Sequence, residues 1–245
     1  GFLLEVTENI ADAAEIGEIT ADGKISYNGE EIKLENLLGI YENKLESVYR
    51  CNKQNPNTEM QTFSYTAENR VSPAVKTAKP KVLIPVFPGT NCEYDSAKAM
   101  RDAGAEPEIF VINNRSAENV AKSVEDFANS LKTAQMVFIP GGFSGGDEPD
   151  GSGKFITAFF RNAAVKEQVT DLLDKRDGLM CGICNGFQAL IKLGLVPYGR
   201  IIDTDENCPT LTYNTIARHQ SKIVRTRIAS NKSPWLADTE VGDIY

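Results

Sequence analysis

Histidine is almost missing from this sequence: His219 is the only one among 245 residues. A metal site built on several imidazoles is therefore excluded. Positive charge is in deficit, with 26 Lys and Arg against 34 Asp and Glu and a net charge of -8. A nucleic-acid partner, which would want a basic face, is not expected. No apolar run approaches the roughly 20 residues that span a bilayer, so no membrane partner is expected either. The opening stretch GFLLEVTENIADAAEIGEIT lacks the basic region and apolar core of a signal peptide. It also lacks an initiator Met and begins on a strand-like run, so both ends are expected to be cut from something longer. An even, scaffold-like set of cysteines is absent as well. The five are Cys51, Cys92, Cys181, Cys184 and Cys208, and an odd count without an export signal fits a reducing cytoplasm. Internal repeats and low-complexity tracts are lacking. What remains, 41% hydrophobic and 24% charged residues, is the composition of a soluble globular protein rather than a disordered one.

Two regions separate on composition. Residues 1–50 read as short strands followed by one helix. GFLLEV and AEIGEIT are β-rich, and Asp22-Gly23 and Asn28-Gly29 are turn signals that suit hairpins. Between Glu35 and Arg50, Leu37, Leu38, Tyr41, Leu45 and Val48 recur at helical spacing. So small a core is uncomfortable alone, and the segment reads as the tail of a preceding domain. Residues 51–80 are polar and broken by Pro56, Pro73 and Pro80, as a linker or surface loop would be.

From Lys81 onward strands and helices alternate. KVLIPVF, PEIFVIN, QMVFIPGG and GLMCGIC read as strands. CEYDSAKAMRDAGA, SAENVAKSVEDFANSLKTA, KFITAFFRNAAVKEQVTDLLDKRD and NGFQALIKLG read as the helices that follow them. This order predicts an α/β domain over residues 81–245, a flavodoxin-like parallel sheet with helices on both faces. Function in such folds sits at the carboxyl ends of the strands. Gly89 to Cys92, Gly141 to Gly146, and Cys184 fall there.

Gly182-Ile183-Cys184-Asn185-Gly186 stands where the GLMCGIC strand meets the next helix. A nucleophile on a sharp strand-to-helix turn needs small neighbours, because the backbone there is strained and closely packed. The helix N-terminus then favours a thiolate and offers N–H groups to a developing oxyanion. A buried cysteine beside helix-packing glycines is the bland alternative, and placement between strand and helix weighs against it. Pro140-Gly141-Gly142-Phe143-Ser144-Gly145-Gly146-Asp147 follows the MVFI strand. Its glycines let backbone approach a ligand, and no GK[ST] follows to make it a P-loop.

PGGFSGGD followed by GICNGFQ resembles the glutaminase domain of the phosphoribosylformylglycinamidine synthase family, class I glutamine amidotransferases of de novo purine synthesis. FPGTNCEYD and NTIARHQSKIVRTRI resemble that family too, so the likeness covers residues 81–245. Residues 1–50, especially IGEI and NGEEIKLENL, are similar to the end of its synthetase half. The ordered series of motifs is far more specific than any one of them. Carried over by position, the resemblance implies Cys184 as the glutamine nucleophile. It implies Gly142 and Asn185 as donors of oxyanion-hole N–H groups and Gln188 as a residue that holds glutamine. It also implies that ammonia passes to a synthetase domain of the same polypeptide, where ATP and Mg²⁺ serve the conversion of formylglycinamide ribonucleotide. No cofactor or metal is expected on this chain itself.

Two departures from the family stand out. Gly145 occupies a position where the family has an aromatic residue. The family's His-x-Glu, in a segment resembling SHGEGR, has no match, because His219 is followed two residues later by Ser221. The general base and its partner are expected beyond Tyr245, with this fragment nearly inert alone and His219 structural or substrate-facing. Alternatives stay open at this stage: a Cys181–Cys184 redox pair or metal site, Cys92 as the nucleophile, another cysteine-elbow hydrolase, or a catalytically silent fragment.

Overall fold

The computed structural model describes residues 2–8, 10–44, 47, 61–69, 73, 76–143, 153–211 and 222–245. It divides into two compact units, Gly1–Met60 and Gln61–Tyr245.

In the first unit β1 (Lys24–Tyr27) pairs antiparallel with β2 (Glu30–Lys33), Tyr27 opposite Glu30. Asn28 and Gly29 close the hairpin, both at positive φ (50° and 83°), as the two-residue turn of a right-twisted hairpin requires. The Asp22-Gly23 signal makes a turn but no hairpin: the Asp22 carboxylate accepts from Thr20 Oγ1 (2.7 Å) and from the Lys24 N–H (3.2 Å). Helix α1 spans Leu34–Asn43, shorter than the sequence pattern, whose remainder falls largely on residues outside the described set. GFLLEV and AEIGEIT form no strand at their described positions, a correction to the sequence reading. β propensity fixes a strand only when a partner completes the ladder, and neither segment has one among the described residues. The apolar side chains here face solvent: Phe2 is 97% exposed and Tyr41 83%, and α1 buries no residue.

Of the segment read as a linker, residues 51–60, 70–72, 74 and 75 lie outside the described set. The part around Tyr65 belongs to the second unit. The Tyr65 N–H donates to the Ala229 carbonyl (2.9 Å), and Arg227 reaches the Phe63 carbonyl (3.0 Å) and Ser64 Oγ (3.1 Å).

The second unit is built on a four-stranded parallel sheet, β3 (Lys81–Val86), β4 (Glu106–Val111), β5 (Met136–Ile139) and β6 (Leu179–Gly182), in the order β4-β3-β5-β6. The sheet has the parallel α/β character that the alternation predicts. Successive residues of β3 serve opposite faces, as pleating demands. Leu83, with Val137 and Ile139, joins the larger core; Val82 and Ile84 join Phe138 and Ala97 in a smaller one. The smaller core lies under α2 (Glu93–Asp102). The larger is covered by α3 (Ala117–Leu131), α4 (Lys154–Phe160), α5 (Ala163–Asp174) and α6 (Asn185–Leu193), and is knitted by aromatic contacts such as Phe127 against Phe159 at 5.4 Å. The sequence read α4 and α5 as one helix. Asn162 separates them, because its side chain accepts from the Ala164 N–H and starts α5 as an N-cap. Gly194, at φ 87°, ends α6 in the left-handed conformation that a helix C-terminus favours.

No helix among the described residues is long and apolar enough to cross a membrane.

Candidate active site

The site forms where β6 gives way to α6. Cys184 is the residue between them, with φ 52° and ψ -110°, a backbone conformation that costs a side-chain-bearing residue about 1–3 kcal/mol. Its neighbours explain how the turn closes. A Cβ on Gly182 would lie 2.6 Å from the Gly186 carbonyl, and one on Gly186 would lie 2.2 Å from the Ile139 carbonyl oxygen. Only glycine at both positions lets the first turn of α6 sit on the end of β5. The Ile183 N–H donates to the Ile139 carbonyl (3.1 Å), and the Gly186 and Gln188 N–H groups to Ile183 and Cys184 (2.9 and 3.0 Å). The result holds an exposed thiol at the N-terminus of α6.

The loop after β5 comes up against this thiol. A Cβ on Gly141 would stand 3.1 Å from Cys184 Cβ and 3.8 Å from its Sγ, so that glycine is what lets the two segments touch. Gly142, at φ 133°, is held by a third segment, the turn that follows β3. Within that turn the Thr90 N–H returns to the Phe87 carbonyl (2.9 Å), with Gly89 at φ 94°. Thr90 then bridges Gly142: the Phe143 N–H donates to the Gly89 carbonyl (2.9 Å), and the Asn91 N–H approaches the Gly141 carbonyl (3.5 Å). A Cβ on Gly142 would come within 2.4 Å of the Gly89 oxygen. These bonds use the groups on either side of the Gly142 N–H, which carries no hydrogen bond among the described residues. Asn185, first residue of α6, is 3% exposed, and its side-chain amide reaches Gln188 Oε1 at 3.4 Å. Cys184, Asn185 and Gln188 thus share one helix start, with Gly141 packed on the thiol and Gly142 the next residue along. Ser144 to Asp147, including Gly145, and His219 lie outside the described residues.

Two contributors were placed at this edge by the sequence without a specific role. Gly141 is the residue that touches Cys184, and Gly89–Thr90 is the clasp on Gly142. The FPGTN motif signalled the second, but only the fold shows what it holds.

A protein-family model for the CobB/CobQ-like glutamine amidotransferase domain matches residues 79–245. The chain belongs to this family. Among curated relatives, the phosphoribosylformylglycinamidine synthase subunit PurQ of Treponema denticola is 34% identical over 175 residues, 68% of this chain and 60% of that protein. The subunit of the same name from Dehalococcoides mccartyi is 36% identical over 145 residues, 59% of this chain and 51% of its own. The chain therefore spans about half to three-fifths of the length of these relatives. Among solved structures, one described as PurLQS from Thermotoga maritima is 27% identical, with a TM-score of 0.34, covering 48% of this chain and 45% of its own.

Cys181 and Cys92 occupy different settings. Cys181, within β6, packs with the smaller core, and burial pushes its thiol pKa up, away from thiolate chemistry. Met180 beside it packs against the larger core. Cys92 is the N-cap residue of α2; its Sγ lies 3.1 Å from Asn91 Oδ1, and its carbonyl accepts from the Ser96 N–H (3.0 Å) and hydroxyl (2.6 Å). Among the described residues, no group of three or more His, Cys, Asp or Glu could hold a metal ion.

Proposed function

We propose that this chain is the glutaminase part of a phosphoribosylformylglycinamidine synthase. The observation that carries the reading is Cys184, an exposed thiol in a positive-φ elbow with the Gly141–Gly142 loop packed on it. The thiolate attacks the side-chain amide carbon of glutamine and forms a C–S bond. The carbonyl oxygen becomes an oxyanion, for which the Gly142 and Asn185 N–H groups are the proposed donors. As the C–N bond breaks, the departing nitrogen takes up a proton and leaves as ammonia. Water then cleaves the glutamyl thioester to glutamate and restores the thiol. Gln188, one turn into α6, helps to hold the bound glutamine.

Ammonia lost to neutral water is protonated and stops being a nucleophile, so its consumer has to cover the site. The surroundings of Cys184 suit a docked partner. Phe143 (82% exposed), Ile183 (55%) and Phe187 (41%) flank the elbow, and Tyr94 (76%) opens α2 beside the clasp. The partner is a synthetase domain of the same polypeptide, and residues 1–50 are its end. Their exposed apolar side chains would find cover there. ATP and Mg²⁺ belong to that synthetase part, which supplies the activation of the formamide oxygen of formylglycinamide ribonucleotide.

The His-x-Glu pair that such a glutaminase uses as its general base has no match around His219, which is followed by Gln220 and Ser221. Loss of such a group costs on the order of 10²–10⁴ in rate. Ammonia release from glutamine is to be compared between this chain and a version continued through a His-x-Glu loop and joined to its synthetase half. Only the longer protein should turn over at a substantial rate. Equal turnover by the shorter one would put the general base elsewhere.

A further inference from the structure

A groove of about 610 Å³ runs between α4, the last turn of α6 and the loop 204–210. It is separate from the elbow: Lys192 lies near the far end of α6, about 12 Å along the helix from Cys184. Its size falls within the range of small-molecule sites.

The charges are sorted by wall. The helical wall carries Lys154, Arg161 and Lys192, and the loop wall carries Asp205 and Glu206. The Arg161 guanidinium is fixed by donating to the Lys192 carbonyl (3.2 Å) and Thr204 Oγ1 (3.1 Å). The Lys192 ammonium is 3.4 Å from Thr210 Oγ1. Among the described residues neither cation is paired with a carboxylate, although both acids line the same groove. Asp205 Oδ1 is occupied in shaping its own loop, accepting from the Asn207 N–H (2.9 Å) and the Cys208 thiol (3.4 Å). Thr157, 7% exposed, lines the groove as well, and its hydroxyl oxygen has no hydrogen-bond partner among the described residues.

Arg161 and Lys192 share one groove without a carboxylate partner among the described residues, which calls for an anion, and a positioned guanidinium with an ammonium on the same wall matches the oxygens of a phosphate. A facing pair of carboxylates repels a bare polyanion but accepts hydrogen bonds from hydroxyl groups. We propose that this groove binds a hydroxylated phosphate monoester, with its phosphate on Arg161 and Lys192 and its hydroxyls toward Glu206 and Asp205.

The test is a titration of the full chain followed by amide chemical shifts, at constant ionic strength, with glycerol 3-phosphate, inorganic phosphate and glycerol as probes. Glycerol 3-phosphate should shift the amides of residues 157–161, 192, 204–208 and 210 saturably. Inorganic phosphate should do so more weakly, and glycerol not at all. Lys192→Gln should weaken glycerol 3-phosphate by about tenfold, the scale of one charge-assisted hydrogen bond. Glu206→Gln, which leaves the cations in place, should weaken glycerol 3-phosphate but not inorganic phosphate. The proposal is overturned by the absence of saturation up to about 10 mM, far weaker than a specific site of this kind. It is equally overturned if glycerol binds as well as its phosphate ester, or if Lys192→Gln leaves the affinity unchanged.

Discussion

Replacing Cys184 by alanine should remove glutamine-dependent activity altogether in the proposed longer protein, one continued through a His-x-Glu loop and joined to a synthetase half. Activity with added ammonia should persist. The expected loss is at least on the order of 10⁴ in kcat, because the nucleophile and its partners act as one unit and removing it removes the covalent path. The substitution is small, and Cys184 is exposed, so the fold has little reason to respond. Ammonia-dependent synthesis is the control, since it needs the synthetase but not the thiol. The same change at Cys92 or Cys181 should leave glutamine use within a few fold. The Cys92 thiol donates to Asn91 Oδ1, and Cys181 packs with the smaller core. Survival of glutamine-dependent turnover in the alanine variant would remove Cys184 from the mechanism.

Gly186→Ala should be the most damaging single methyl addition to the elbow. The new Cβ would stand 2.2 Å from the Ile139 carbonyl oxygen and 2.8 Å from its carbon, contacts with backbone rather than with a side chain that could swing away. Relief requires α6 to lift from the end of β5, which carries Cys184 and Asn185 with it. A loss of about 3 kcal/mol or more is expected, the upper range for overpacking a rigid site. For a unit of this size that corresponds to a fall in melting temperature of roughly 6–12 °C. Differential scanning calorimetry reads the stability, and the alkylation rate of Cys184 reads the geometry of the elbow. An unchanged melting temperature would show that the helix start is looser than its contacts imply.

The sheet and its helices were legible because their signals are local. KVLIPV and MVFI are short apolar runs that suit buried parallel strands, and the elbow glycines bracket the cysteine in five residues. Places where reading failed share one cause: the deciding partner is distant in sequence or absent. GFLLEV and AEIGEIT have strand composition without a ladder to join. The break at Asn162 turned on one side chain choosing a cap over a continued helix. The sequence put Gly141 in the loop at the functional edge but not against Cys184 itself, since a glycine after a strand looks the same whether it meets solvent or a cysteine more than forty residues on. The same holds for the Thr90–Gly142 bridge, which joins two loops that the sheet alone brings together. Asn185 and Gln188 were placed by their position in the motif, and their side-chain contact at 3.4 Å follows from one turn of helix.

The most direct measurement is labelling with a chloroketone analogue of glutamine, followed by peptide mass spectrometry. The analogue presents a reactive carbon where glutamine has its amide, so it marks the group that attacks that position. It should be applied to this chain and to the longer protein, with and without excess glutamine. A single adduct on Cys184, formed faster in the longer protein and suppressed by glutamine, is the predicted result. Labelling centred on Cys92 or Cys208, or labelling of Cys184 that glutamine leaves untouched, would contradict a glutamine site at the β6–α6 elbow.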